Sequence, residues 1–487
     1  MRFCLAILGA CLLAGCGAPE DDGVVDVAFI GDGEDLFDSG MRLSPAAQQV
    51  RAATSEGLVR LDAAGQAVPG VAQRWIVTDD GASYIFRLRD SDWADGTPIT
   101  GESVRDSLRQ TIRALQGTSL GLDLAKIRDI RAMTGRVVEI RLTSPMPDFL
   151  QLLAQPELGL RKGGQGTGPM ALERRGADGL LTVVAPQMRG LPEQEDWQDE
   201  YRPVRATAMD ARTANAAFAR NQIELVLDGR LATLPLADTG ALSRGTVRLE
   251  AAVGLFGLQV LDARGFLADP RNREALALAI DRSALLEPFN IGGWTPTTRI
   301  VAPDLPADEG LVGERWGDLT IEQRRAVARQ RVNAWKRASG TDTLSLTVDL
   351  PPGPGSDRIV RRLAAMYRDV GIDLQRPAEG RRAQLQVKDR TARYGAARWF
   401  LNQFHCSLND GICSPEADRL VAESLRASDA ATQSALLAEA ERQLTAANVF
   451  IPFGAPIRWS LVRADVAGFT ENAWAMHPLF PLAGGTI

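Results

Sequence analysis

Histidine is scarce in this chain: His405 and His477 are the two that occur among 487 residues. Two histidines argue against a metal site made of histidines and against a nucleophile that depends on a histidine base. An excess of positive charge is also lacking, because 55 Lys and Arg residues stand against 61 Asp and Glu residues. A protein that binds nucleic acid needs a basic surface. We therefore expect no nucleic-acid partner, no metal site and no cofactor.

The apolar run at the N-terminus, from Phe3 to Ala14, is shorter than the roughly 20 residues that a membrane-spanning helix needs. It follows an arginine and precedes small residues, which is the pattern of a secretory signal. The block Leu13-Ala14-Gly15-Cys16 resembles the bacterial lipobox, in which the cysteine becomes the lipid-modified first residue. The resemblance implies a cleaved signal over 1–15, lipidation at Cys16 and an acidic tether over 16–23. A plain signal peptide is the alternative interpretation.

Cysteine is nearly lacking from the rest of the chain. Of five cysteines, Cys406 and Cys413 are the two that follow the lipobox, in the sequence HCSLNDGIC. Two thiols in an oxidising compartment usually form a disulfide, which here would close a tight loop. The alternative is a metal site made with the neighbouring His405, but zinc takes four ligands at closer spacing. The sequence therefore favours the disulfide.

The composition is that of a globular chain, with 45% apolar and 24% charged residues, and the length predicts about two to four domains. Residues 83–89 alternate in polarity, which predicts a half-buried antiparallel strand. Further on, alternating leucines and valine predict a strand over 344–350, followed by an amphipathic helix that ends at Gly371. Residues 372–374 supply the next strand. Together the last three segments predict a βαβ unit in a mixed α/β chain.

Three segments resemble enzyme motifs, but each of them lacks a feature that its motif requires. Gly117–Gly121 matches the nucleophile elbow G-x-S-x-G, but a predicted helix precedes it where the elbow needs a strand. Gly31-Asp32-Gly33 begins like a dinucleotide fingerprint, yet the third glycine position holds Leu36 and the loop is acidic. Gly163–Pro169 lacks the lysine and hydroxyl residue that complete a phosphate loop. We therefore predict no catalytic residue and no enzyme.

Five segments, in order, resemble the extracellular solute-binding protein family 5, the oligopeptide- and dipeptide-type receptors of ABC importers. The first, Ser55–Arg109, carries a Pro-Gly-Val-Ala turn, a Trp, an aromatic-rich strand that ends at Arg, and an Asp-Gly-Thr-Pro turn. The second is Gly166-Thr167-Gly168-Pro169, where Met170 replaces the usual aromatic residue. The others are 271–286, 362–374 and 451–469.

The resemblance implies an α/β fold of the periplasmic binding protein type, with two lobes and mixed sheets. The first lobe would be discontinuous: residues 24–253, with an extra subdomain at about 45–164, and the returning segment 470–487. The hinge-linked second lobe would span 254–469. The chain would cross between the lobes near Gly254 to Asp262 and near Ala464 to Phe469.

The function that the resemblance implies is capture of a small solute, peptide-like or another medium-sized polar molecule, in a cleft between the lobes. The receptor would deliver the solute to an ABC permease, and it would be a periplasmic monomer anchored to the cell envelope by its lipid. A sensor or envelope lipoprotein without a transport role, built on the same scaffold, is the alternative.

The ligand-binding residues implied by the resemblance are Arg398, Trp399, Asn402 and Gln403. Peptide receptors of the family typically carry a Trp-x-x-Asp segment whose Asp binds the peptide's α-amine, and the matching stretch here ends in Asn402. An asparagine supplies no charge for an ammonium group. We therefore expect a solute that is neutral or anionic at that end. For Trp399, stacking on the ligand and burial in the lobe core both remain possible.

The lipobox predicts that Cys16→Ser moves the protein from the membrane fraction to the soluble periplasmic fraction, because serine cannot receive the lipid. Fractionation with a high-salt wash measures this, with Cys4→Ser in the signal as the control. A Cys16→Ser variant that still sediments with washed membranes would show that the lipobox interpretation is wrong.

Overall fold

The computed structural model describes residues 23–237, 246–303, 305 and 308–484. The signal, the lipidation site Cys16 and nearly all of the tether lie outside these residues. Within them, no helix is long and apolar enough to cross a membrane.

The described chain forms 20 β-strands and 13 α-helices, numbered here in chain order. The strands are β1 (Val25–Ile30), β2 (Val59–Leu61), β3 (Ala67–Pro69), β4 (Ala72–Val77), β5 (Ser83–Leu88), β6 (Ile127–Met133), β7 (Val137–Leu142), β8 (Arg161–Lys162), β9 (Gln165–Gly166), β10 (Met170–Arg175), β11 (Asp178–Val183), β12 (Val204–Met209), β13 (Leu225–Arg230), β14 (Val247–Ala251), β15 (Gly254–Val260), β16 (Ser345–Asp349), β17 (Asp373–Gln375), β18 (Leu385–Thr391), β19 (Phe450–Gly454) and β20 (Ile457–Val462). The helices are α1 (Pro45–Thr54), α2 (Gly101–Ala114), α3 (Ser119–Leu124), α4 (Phe149–Leu153), α5 (Ala211–Ala219), α6 (Pro270–Ala279), α7 (Arg282–Leu286), α8 (Ile321–Ser339), α9 (Pro354–Arg368), α10 (Ala397–Asn402), α11 (Pro415–Ser424), α12 (Ala430–Ala447) and α13 (Leu479–Leu482).

The first lobe is built on a seven-stranded mixed sheet in the order β10-β11-β12-β1-β13-β20-β14. Strand β1 pairs in parallel with both β12 and β13, whereas β20 pairs antiparallel with β13 and β14. Its central strands are buried on both faces, as expected for a sheet that is covered by helices. Strand β20 comes from near the end of the chain, so this lobe is discontinuous.

The second lobe is built on a five-stranded sheet in the order β17-β16-β18-β15-β19. Strand β16, helix α9 and strand β17 form a parallel βαβ unit, which confirms the unit predicted over 344–374. Helix α9 buries Ile359, Leu363 and Met366, spaced as a helical stripe, against the sheet.

The chain passes between the two sheets at two places. Residues 252–253 join β14 in the first sheet to β15 in the second, and residues 455–456 join β19 in the second to β20 in the first. The return crossing therefore comes before the predicted 464–469, and the second lobe does not extend to residue 469. Sequence could not separate β19 from β20, because every residue of both strands is buried and neither strand alternates.

A smaller antiparallel sheet, β4-β5-β7-β6, lies within the segment predicted as an extra subdomain. Strand β5 buries Tyr84, Phe86 and Leu88 on one face, which is the alternation seen in the sequence. Helix α2 starts at Thr100, whose hydroxyl accepts from the Ser103 amide. The apolar core of this subdomain continues into helices α10, α11 and α12 of the second lobe.

Cys406 and Cys413 form a disulfide, with their Cα atoms 5.2 Å apart. The loop that it closes turns at Asn409, whose φ of +53° suits asparagine better than most residues. The Asp410 carbonyl accepts a hydrogen bond from the side chain of Gln259 on β15 (2.9 Å), so the loop is fastened to the second-lobe sheet.

Replacing both Cys406 and Cys413 by serine is expected to lower the free energy of unfolding by about 2–3 kcal/mol, because the open chain gains conformational entropy when unfolded. Urea denaturation of the wild type and of the double variant measures this loss. Wild-type protein treated with a reductant is the control and should lose the same amount. Equal stability of all three samples would show that the disulfide contributes nothing.

Candidate functional site

A cavity of about 390 Å³ lies between the two lobes. Its second-lobe wall is the continuous segment 386–393, at the end of β18 and just beyond it. The first lobe contributes the start of α1, the end of β13 and the segment 474–476, and Arg458 of β20 lies beside the return crossing. This volume falls in the range of pockets that hold small solutes.

Seven charged side chains line this cavity, and five of them are cationic. Three of the cations pair with carboxylates of the protein: Arg458 with Asp389 (2.6 Å), Lys388 with Asp410 (3.1 Å) and Arg393 with Glu157 (2.7 Å). The first and third of these pairs join the two lobes, because Arg458 and Glu157 belong to the first lobe. These paired groups form fixed walls around the remaining space.

Two cations of the cavity, Arg230 and Arg390, form no ion pair with any residue that the structure describes. Arg390 donates a hydrogen bond to the neutral Oε1 atom of Gln403 (2.8 Å). Burial, and then the charge of Arg393, lower the pKa of Arg390 from its usual value. A guanidinium nevertheless stays charged at neutral pH. The cavity therefore presents two positive charges that an anionic group can neutralise.

One carboxylate, Asp228, lines the same cavity from the end of β13. Burial raises its pKa to about 6, against the opposing charge of Arg230. Sequence analysis did not select this residue. The available signal was the Asp-Gly pair, a turn or bulge dipeptide, inside the apolar run that forms β13.

The four residues expected to bind ligand lie elsewhere. Arg398, Trp399, Asn402 and Gln403 have exposed fractions of 5, 2, 2 and 1%, and none of them lines this cavity, whereas Arg398 lines a second pocket between the subdomain and the second lobe. In this cavity they are not wall residues, and their assignment as ligand contacts stays a prediction. The reason is tertiary: helix α3 of the subdomain packs directly on helix α10 and covers it.

Each of these side chains has a partner within the protein. Asn402 donates to Asp123 Oδ1 (2.6 Å), and Arg398 donates to the Leu122 carbonyl (3.0 Å), so both join α10 to α3. Trp399 packs edge-to-face on Phe400, with the ring centroids 4.9 Å apart, and belongs to the core. Gln403 is the exception that reaches toward the cavity, because its amide oxygen orients Arg390.

The wall that faces the cavity carries a different segment with the same spacing. In Arg390-Thr391-Ala392-Arg393 the first two residues end β18 and the last two follow it, and all four line the cavity. Where a Trp-x-x-Asp segment would end in a carboxylate, this one ends in a guanidinium. Since Glu157 neutralises this guanidinium, Arg390 is the cation of the segment that is left for an anionic group of the solute.

The two lobes, the two crossings and the charged cavity between the lobes define a two-lobed solute-binding protein. The sequence model of the bacterial extracellular solute-binding proteins, family 5, matches residues 66–402, and the chain belongs to this family. It is a solute-binding receptor that serves an ABC import permease.

Curated relatives and solved structures agree with this. The periplasmic oligopeptide-binding protein OppA of Salmonella typhimurium is 22% identical over 468 residues, covering 85% of this chain and 84% of that protein. The glutathione-binding protein GsiB of Escherichia coli is 26% identical over 323 residues, or 61% of this chain and 59% of that one. The fold is similar to Haemophilus influenzae OppA in complex with RPPGFSPFR, with a TM-score of 0.78, 17% identity and coverage of 93% and 98%.

The Asp123 carboxyl, sealed between α3 and α10, predicts a pH-dependent stability. Burial raises its pKa from 3.8 to about 6, so the folded state holds a proton more tightly than the unfolded state. Well below pH 3.8 both states are protonated, the cost grows as the unfolded state ionises, and above pH 6 the folded state bears the full cost of the buried charge. Relative to Asp123→Asn, the wild type should therefore lose on the order of 3 kcal/mol of stability between pH 4 and pH 7.

Urea unfolding of both proteins at several pH values between 4 and 7 measures this difference. A difference between the two proteins that stays constant over this range would show that Asp123 titrates normally in the folded state.

Proposed function

We propose that this receptor captures a peptide-like solute that carries a carboxylate, and that Arg390 and Arg230 bind the carboxylate in the cavity between the lobes. The observation that carries the proposal is that both guanidiniums line the cavity without an ion-pair partner among the described residues. Hydrogen bonds to charged groups contribute about 1.5–3 kcal/mol each, so one such contact changes the affinity by at least tenfold.

The surroundings of Arg390 favour a fixed orientation of its guanidinium. Gln403 accepts from Arg390, and its own amide nitrogen donates to the Trp399 carbonyl (3.0 Å) one helical turn earlier. Because Gln403 is buried, this support does not depend on solvent. The buried helix α10 thus acts behind the binding wall, and we assign a positioning role, not ligand contact, to Gln403.

Closure of the lobes supports capture. Besides the ion pairs of Arg458 and Arg393, the side chain of Gln155 donates to the Arg393 carbonyl (2.8 Å) and accepts from the Arg393 side chain (3.0 Å). Lobes that close on a solute remove water from it, which strengthens each charged contact. Separation of the lobes at the permease would break the same contacts and release the solute.

The names of the relatives support a peptide-like solute, because they include an oligopeptide-binding and a glutathione-binding protein. We further propose that the receptor is a periplasmic monomer, held at the membrane by the lipid on Cys16, and that it binds its solute without chemical conversion. A cavity whose walls come from both lobes of one chain is consistent with a monomer.

The proposal is tested by calorimetric titration with di- to tetrapeptides that lack acidic side chains and with their C-terminal amides. We expect the free carboxylates to bind and amidation to weaken binding. Arg390→Gln should lower the affinity for the free carboxylates about 10- to 100-fold, since it removes one charge-assisted contact, and should leave the amides unaffected.

Arg381→Gln is the matched control, because Arg381 is exposed on the same lobe and does not line the cavity. Amides that bind as tightly as the free peptides, or an Arg390→Gln variant with unchanged affinity, would contradict the proposal.

A further inference from the structure

Asp228 owes its position to an irregularity in the first-lobe sheet. The register between β13 and β20 shifts between Val226 and Gly229, which marks a β-bulge. At this bulge Asp228 takes a φ of +64°, a left-handed conformation that is unfavourable for most side chains. Such strain persists where the surrounding structure enforces it, and it is concentrated at functional sites.

The surrounding structure does enforce the bulge. A side chain at Gly229 would place its Cβ inside the ring of Trp459, so the backbone and the indole lie in direct contact. Trp459 is fully buried, and its Nε1 donates to the Arg230 carbonyl (3.0 Å) on the other side of the bulge. The bulge is therefore a built feature that directs Asp228 toward the cavity.

The Oδ2 atom of Asp228 is shielded from solvent and has no hydrogen-bond partner among the residues that the structure describes. The charged and titratable groups around it are Arg230, Arg458, His477 and Asp35. Arg458 is already paired with Asp389, and Nε2 of His477 lies 3.1 Å from Glu250 Oε2. Arg230 on the same strand does not approach within ion-pair distance. A half-buried carboxylate with an unpartnered, shielded oxygen is costly to the folded protein.

We propose that Asp228 binds a cationic group of the solute, a primary ammonium, so that the solute is a zwitterion held at two ends. This inference rests on the proposed function, in which Arg390 takes the carboxylate of the same solute. Asp228 belongs to the first lobe and Arg390 to the second. A zwitterion therefore contacts oppositely charged groups on both lobes, and it binds better to the closed arrangement than to separated lobes.

Asp228 also changes the prediction, made from sequence, that no carboxylate is available for the amine of a solute. With Asn402 in the place of an anchoring carboxylate, the chain offered no counter-charge for an amine. Asp228 supplies one on the opposite wall. Solutes with a free amine are therefore accepted when the amine points toward the first lobe.

The test compares free dipeptides with their N-acetylated counterparts on wild type and on Asp228→Asn. Asparagine has the same shape and also tolerates a left-handed backbone, so the bulge is retained. On wild type, N-acetylation should weaken binding at least tenfold. Asp228→Asn should weaken binding of the free dipeptides at least tenfold and leave the N-acetylated ones unaffected, so that acetylation no longer matters. Asp373→Asn, an exposed carboxylate of the second lobe, is the control.

A second readout does not need a ligand. Because Asp228→Asn removes an unpartnered buried charge, the empty variant should melt at a higher temperature than wild type at pH 7.5, and the gap should shrink toward pH 5. A variant that is less stable and binds free dipeptides as wild type does would show that Asp228 is a structural partner of Arg230, joined through water.

The outcomes separate the two proposals. If Arg390→Gln weakens binding and Asp228→Asn does not, the anionic end is correct and the inference about Asp228 is wrong. If wild type binds no dipeptide of either kind, both the peptide-like solute class and this inference are wrong.

Discussion

Two chain crossings, at residues 252–253 and 455–456, set the position of the cavity between the lobes. They bring the buried ends of two sheets side by side, and the cavity lies beside them. Arg458 follows the return crossing by two residues, which places it on a first-lobe strand within 2.6 Å of Asp389 on the second lobe. Since both partners are buried, removing one would leave an uncompensated charge at the base of the cavity. The geometry of the cavity depends on this contact.

The charges of the cavity divide into a structural and an available set. Lys388, Arg393 and Arg458 are each satisfied by a carboxylate of the protein, which fixes the walls at the cost of desolvation. Arg230, Arg390 and Asp228 have no such partner among the residues described. A solute that carries the opposite charges can form the ion pairs that these three groups do not form with the residues described. This is a physical route to selectivity, because a solute without those charges would leave the three groups without a counter-charge in the closed cavity.

Much of the fold could be predicted because the sequence carries local signals for it. The alternation of β5, the cap at Thr100 and the βαβ unit each rest on residues within one short segment. The return crossing could not be predicted, because β19 and β20 are both uniformly buried. The burial of helix α10 could not be predicted for a related reason, because its contacts with α3 come from a segment that is distant in the chain. The site at Asp228 depends on a bulge whose cause, Trp459, lies on another strand.

Asp123 and Asp228 show why a raised pKa alone does not mark a binding site. Burial raises the pKa of both carboxyls to about 6. Asp123, however, accepts from Asn402 at 2.6 Å and is sealed between two helices, so its unpartnered Oδ2 atom does not face the cavity. Asp228 has the same burial cost and a strained backbone, without a partner to offset either, and it faces a cavity. The two carboxyls differ because Asp228 borders the cavity and Asp123 does not, so a charged group of a solute can reach Asp228.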